Sequence, residues 1–152
     1  MKSKFYLTVL LFSSFIFSCK KDNNSESGED VAKRYLQLLS NKPWKRSVTD
    51  KNAATNPKDK ELLFNAVNEC ELDNRYNFNN NGYSLIIDNG MSSCSNETQL
   101  QGVNYSADFA KQEIVINGQK FILAELSETQ LKYYAVVSRS SGFVNMVYLY
   151  EH

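Results

Sequence analysis

The chain has 152 residues, 17 basic against 17 acidic, with two prolines and six glycines. This balance excludes ordinary nucleic-acid binding, which rests on an excess of Lys and Arg neutralising phosphates. The scarcity of Pro and Gly argues against a disordered body, and residues 31–152 suffice for one domain with one core.

Lys2 and Lys4 open the chain, and residues 5–17 carry no charge. A basic start, an apolar run and a small residue before a cut make a secretory signal over residues 1–18. The run is too short to span a bilayer, which needs roughly 20 apolar residues. It ends in Ile16-Phe17-Ser18-Cys19. These four residues resemble the bacterial lipobox, which implies a diacylglyceryl group on the Cys19 thiol, cleavage before Cys19 and acylation of the new amine. Two or more acyl chains hold a protein stably on a membrane, each buried methylene contributing about 0.8 kcal/mol. Cleavage removes Lys2 and Lys4 and leaves 15 basic residues against 17 acidic.

Residues 19–30 read as a flexible tether, because "KKDNNSESGED" after Cys19 holds no large apolar residue to order it. Lys20-Lys21-Asp22 is similar to the Lys/Asp-rich export tags that follow the lipidated cysteine in lipoproteins of the Bacteroidota. That likeness implies a lipid-anchored protein of the outer membrane, exposed at the cell surface. Asn23 and Asn24 stand where further acids are usual, so a simply solvated tether facing the periplasm stays open.

"EDVAKRYLQLLS" (29–40) has Val31, Tyr35 and Leu38, and Ala32, Leu36 and Leu39, at helical spacing. Glu29 and Asp30 suit the first turn, Asn41 a left-handed stop, and Pro43 ends the helix. A strand starts at Trp44. Residues 50–60 read as a loop, and "KDKELLFNAVN" (58–68) as a short helix with Leu62, Leu63 and Ala66 on one side. After Cys70 the period becomes two. "RYNFN" and "YSLIID" flank the turn "NNNG", which makes a hairpin. "QGVNYSADF" and "KQEIVI" follow, then "NGQ" (117–119), a strong hairpin signal, then "KFILAEL", "LKYYAVVS" and "FVNMVYLYE". About eight strands joined by short turns predict an all-β, antiparallel up-and-down barrel with an amino-terminal helix.

In the last strand Phe143, Val147 and Leu149 share one face, and Val144, Met146, Tyr148 and Tyr150 the other. One face lines the interior; the other needs a cover, for which the helix 29–40 is the simplest candidate and a partner protein the alternative. With Cys19 lipidated, Cys70 and Cys94 remain as an even pair in an exported protein, which favours a disulfide. The loop it closes is worth roughly 3 kcal/mol by the chain-entropy argument. The rival, a metal site, lacks a nearby histidine, since the only one is His152.

"LLSNKPWKRS" (38–47), "CELDNRYNFNNNGYSLIIDNGMSSC" (70–94) and "INGQKFILAELSETQLKY" (116–133) resemble the lipocalin-like lipoprotein domain of the Bacteroidota across residues 31–152. That family joins a leucine-rich helix, a Gly-Lys-x-Trp opening, a Cys–acid–acid–x–aromatic–x–Phe hairpin, a second Cys and closing strands. The resemblance implies that Trp44 plugs the barrel floor, that Cys70 and Cys94 are the paired cysteines, and that Asp73, Tyr76, Phe78 and Gly82 match the hairpin. Asn41 stands where Gly is usual, and Leu72 interrupts the acidic pair.

No Gly-x-Ser-x-Gly, phosphate loop or HExxH is present. Glu125 and Glu128 could be drawn into acid–base chemistry, but a charged hairpin end explains them better. The expectation is therefore a non-enzymatic protein without cofactor or metal. It either binds a small apolar or mixed ligand inside the barrel, at residues the sequence does not name, or has a filled barrel and docks an unidentified protein partner.

Overall fold

The computed structural model describes residues 27–152 apart from Gly82, Ser93 and Asn96. Cys19, the signal segment 1–18 and the tether up to residue 26 lie outside the described residues, as does Gly82 of the hairpin motif. The elements are α1 (Gly28–Ser40), β1 (Lys45–Arg46), β2 (Glu61–Phe64), β3 (Arg75–Phe78), β4 (Ser84–Asp88), β5 (Leu100–Asp108), β6 (Glu113–Ile116), β7 (Gln119–Leu126), β8 (Gln130–Arg139) and β9 (Gly142–Glu151). Eight strands form a continuous path, β1-β9-β8-β7-β6-β5-β4-β3, and β2 joins it at β9. Neighbours in the path are antiparallel; β2 alone runs parallel to its partner.

The two ends of the path meet at one bridge, Trp44 with Tyr76. Trp44 N donates to Tyr76 O at 3.0 Å and Tyr76 N donates to Trp44 O at 2.8 Å. These bonds make the sheet a nearly closed barrel.

Local chemistry explains most elements. The Ser27 side chain accepts from Asp30 N at 3.2 Å and caps α1, with Glu29 and Asp30 in its first turn. The stop differs from expectation: Asn41 is right-handed, with φ −66°, and Pro43 follows. Between β6 and β7, Asn117 and Gly118 have φ of 51° and 78°. Positive φ at both central residues defines the tight turn that matches strand twist. A bulge in β7 separates Leu123, opposite Tyr133, from Glu125, opposite Lys132. It lets Leu123 and Leu126 both face the core while Glu125 turns outward.

Two expectations are corrected. Residues 58–68 are not helical: Glu61–Phe64 is a strand paired with Val144–Val147. Leu62 and Leu63 fit either period in so short a run, and the free edge of β9 decides the outcome. Nor is α1 the cover of β8 and β9. It lies across the barrel end against β3 and β7, with Tyr35 stacked on Phe109 at 5.4 Å and Leu39 fully buried.

The cover is instead a strap, residues 47–60, which leaves the barrel after β1 and returns as β2. It crosses the outer face of β8 and β9, where Asn145 Nδ2 donates to Asp59 Oδ1 at 3.0 Å. Lys132 Nζ pairs with Asp50 at 2.7 Å, with no exposed area on the lysine side chain. Burial pushes the Asp50 carboxyl up, but hydrogen bonds from Lys132, the Asn52 backbone and Asn56 outweigh it and hold it below the usual carboxylate range.

Cys70 and Cys94 are bonded, with Cα atoms 5.2 Å apart. Beside them Asp73 Oδ2 accepts from Met91 N at 2.9 Å and Ser92 N at 3.2 Å, so the first half of the β4–β5 loop is held to the segment before β3. Gly90 sits at φ +62°, and a Cβ there would collide with the Asp73 carboxylate. Replacing Cys70 by Ser should lower stability by roughly 3 kcal/mol in urea unfolding. Cys94→Ser should cost the same, and the double variant no more than either, because each single change already removes the crosslink. A double variant much weaker than both would contradict this.

Candidate functional site

The barrel interior is the first place to look for function. Its inward-facing positions follow from the register: Leu131, Tyr133, Ala135 and Val137 on β8 face the same side as Tyr150, Tyr148, Met146 and Val144 on β9. The sequence reading of the two β9 faces was therefore correct, and its Tyr face is the inner one.

Near α1 the interior is closed. Trp44 and Leu39 have no exposed area, and Trp44 Nε1 donates to Leu39 O at 2.8 Å. The His152 ring stacks on Trp44 with centroids 3.7 Å apart. Trp44 is thus fully buried beside the last turn of α1.

Above the floor the space is filled by rings. Tyr133 stacks on Tyr148 and on Tyr150, each at 5.4 Å, and Phe121 leans on Tyr133 at 4.8 Å. Tyr76 meets Tyr150 edge-on at 5.0 Å, and Phe78 meets Tyr105 likewise at 5.0 Å. Such offset and edge contacts are the favoured aromatic geometries. The Tyr133 and Tyr150 hydroxyls lie 2.6 Å apart. Arg46 enters this stack from β1, only 7 % exposed, with its guanidinium carbon 5.1 Å from the Tyr150 centroid and 5.5 Å from that of Tyr148. Its Nη2 donates to Asn65 Oδ1, Asn65 O and Ala66 O at 2.5, 3.2 and 3.3 Å. Ring faces and neutral oxygens therefore stabilise its charge.

At the end opposite α1 the inward positions are less enclosed. Ile87, Val103, Ile116 and Val137 are half-buried there, while Val144 is buried. Open volume is found elsewhere, on either flank of α1. A groove of about 790 Å³ is lined by Arg34, Gln37, Asn41, Phe78 and Asn80 among others. Another of about 460 Å³ runs past Leu36, Tyr83 and Phe109.

Outside the barrel, exposed apolar side chains cross four strands. Cross-strand register aligns Ile122 with Tyr134, Tyr134 with Val147, and Val147 with Phe64, and Val147 within this row is buried. Phe64, Ile122, Val136 and Phe143 are 47, 39, 45 and 66 % exposed.

The carboxylates considered for catalysis are not brought together as a reactive pair. Glu125 accepts from Thr55 Oγ1 at 3.0 Å and Gln130 Nε2 at 3.1 Å, which ties the strap, while Glu128 is exposed in the β7–β8 turn. Among the described residues no group of three or more His, Cys, Asp or Glu side chains is placed to hold a metal ion. Sequence reasoning missed Arg46, Gln130, Lys132 and Asn145, all buried. A charged residue in an alternating strand reads as solvent-facing until the strap above it is known. No protein-family model, curated protein or solved structure matches the chain.

Burial pushes the Tyr76, Tyr133 and Tyr150 hydroxyls above the usual phenol range. In the unfolded chain a tyrosine ionises near about pH 10. The stability these three contribute is therefore complete below that pH and is lost as pH rises toward their raised native values. Urea unfolding between neutral and alkaline pH should show a steep decline in wild type and a shallower one in Tyr133→Phe/Tyr150→Phe. Equal slopes would contradict the assignment.

Proposed function

We propose that the protein is a non-enzymatic lipoprotein of the bacterial cell envelope, a distant relative of the lipocalin-like lipoprotein domain, with a filled barrel that acts through its outer surface. The observation that carries this reading is the stack of Tyr76, Phe121, Tyr133, Tyr148 and Tyr150. An eight-stranded barrel is just wide enough either to be filled by side chains or to hold one small ligand. Here the rings occupy that width. The exposed apolar side chains of Phe64, Ile122, Val136 and Phe143, on four neighbouring strands, support a protein partner, because grouped exposed apolar side chains mark interaction sites. Lipid at Cys19 and the tether, which ends where α1 begins at Gly28 rather than at residue 30, would hold this surface close to the outer membrane.

A second reading, a small apolar ligand in the open end, is supported by the half-buried Ile87, Val103, Ile116 and Val137. A photo-crosslinking residue at position 143 separates the two. In intact cells it should give one discrete protein adduct, which Val136→Asp removes. Absence of an adduct, together with saturable binding of an apolar fluorescent probe that Val137→Asp abolishes, would favour the ligand reading instead.

The anchor is tested separately. Cys19→Ala should move the protein from the membrane fraction to the soluble periplasm, and a variant still on the membrane would refute lipidation. Changing Lys20, Lys21 and Asp22 to Ala should keep the protein on the membrane but hide it from protease added to whole cells. If wild type is itself protected, the protein faces the periplasm.

A further inference from the structure

The strap is held by an arrangement more specific than an ion pair. Lys132 Nζ lies 2.7 Å from Asp50 Oδ1, 2.6 Å from Asn52 O, 2.9 Å from Thr55 Oγ1 and 2.8 Å from Asn56 Oδ1. All four oxygens come from residues 50–56. An ammonium has three hydrogens and no acceptor. With more oxygens than hydrogens, the contacts form a shell around a cation rather than a set of directed bonds.

The loop makes its own shape. Asp50 Oδ1 accepts from Asn52 N at 3.0 Å and Asp50 Oδ2 from Asn56 Nδ2 at 2.8 Å. Thr55 N and Asn56 N donate to Asn52 O and Ala53 O, closing the 3-10 turn Ala53–Thr55. From the barrel side Gln130 accepts from Lys51 N at 2.8 Å through Oε1 and reaches Asp50 Oδ1 at 3.4 Å through Nε2. None of these bonds involves Lys132, so the oxygens are positioned without it.

Charge and spacing select the occupant. Asp50 is the one carboxylate among the four oxygens, and Glu125 stands behind them, bonded to Thr55 Oγ1 and Gln130 Nε2, so the site favours a positive charge. Calcium prefers six to eight oxygens at roughly 2.3–2.6 Å and magnesium about 2.0–2.1 Å. Distances of 2.6 to 2.9 Å suit a larger ion. Ammonium and potassium are close in size and charge.

We propose that the Asp50–Asn56 loop is a binding site for a monovalent cation of ammonium or potassium size, and that the Lys132 side chain is its resident occupant. A tethered cation keeps the strap closed whatever ions surround the protein.

The test removes the ammonium and keeps the stem. Lys132→Met should have a lower Tm than wild type in choline chloride. Potassium or ammonium chloride at the same ionic strength should recover at least half of that loss, and lithium chloride much less, while the wild-type Tm is the same in all four salts. Adding Asp50→Asn should abolish the recovery, which locates it at the loop. An equal Tm of Lys132→Met in potassium and choline would overturn the proposal, as would a variant that stays unfolded in every salt. A second measurement uses wild type alone. Under amine acetylation followed by mass spectrometry, Lys132 should react last among the lysines. Reaction as fast as at the exposed Lys51 would show that the cage is not occupied and would equally overturn the proposal.

Discussion

The barrel depends on Trp44. Its backbone makes the two hydrogen bonds to Tyr76 that join the ends of the sheet. Its indole closes the floor and holds the last turn of α1 through Leu39 O. Closure, floor and helix placement thus share one residue. An open sheet would leave β3 with an unpaired edge, a template for pairing with other chains. The Trp44–Tyr76 bridge pairs Tyr76 on that edge, while β1 and β2 between them pair along the free edge of β9.

Around that closure the molecule divides its chemistry by face. The inner face is aromatic, and the charge it carries on Arg46 rests on ring faces and neutral oxygens. The outer face of β8 and β9 carries Gln130, Lys132 and Asn145, which would be costly to bury without partners. The strap supplies those partners, and it stays in place because they are there. Neither arrangement stands alone: Lys132 without the strap would be a surface lysine, and the strap without Lys132 would present Asp50 to a covered surface with no counter-charge.

Legibility in the sequence followed the range of the interactions. Local signals were readable: Glu29 and Asp30 in the first turn of α1, Asn117-Gly118 in the β6–β7 turn, and the period-two faces of β9, whereas the Ser27 cap was read as tether. The cysteine pair was readable from its number once Cys19 was set aside. Elements defined by distant partners were not. Glu61–Phe64 becomes a strand because residues 144–147 offer it an edge, and "KELLF" carries no mark of that. The cover of the outer face was assigned to the one amphipathic segment in view, whereas the true cover is a polar loop whose role is visible only beside Lys132. For the candidate site, the sequence left open a ligand cavity or a filled barrel, because which rings meet one another depends on strands far apart in the chain.

The position of β9 has a consequence for how the protein is made. It pairs with β8 along one edge and with β1 and β2 along the other. Residues 45–64 therefore wait for residues 144–151 before they have a place in the sheet. Contacts so far apart in the chain carry loop-closure entropy that must be met before they return any stability, which makes folding slow for a domain of this size. Synthesis delivers β8 with an open edge and β9 afterwards, so the nascent chain must be kept from pairing with its neighbours. The keystone strand comes last, and the barrel cannot lock before it arrives.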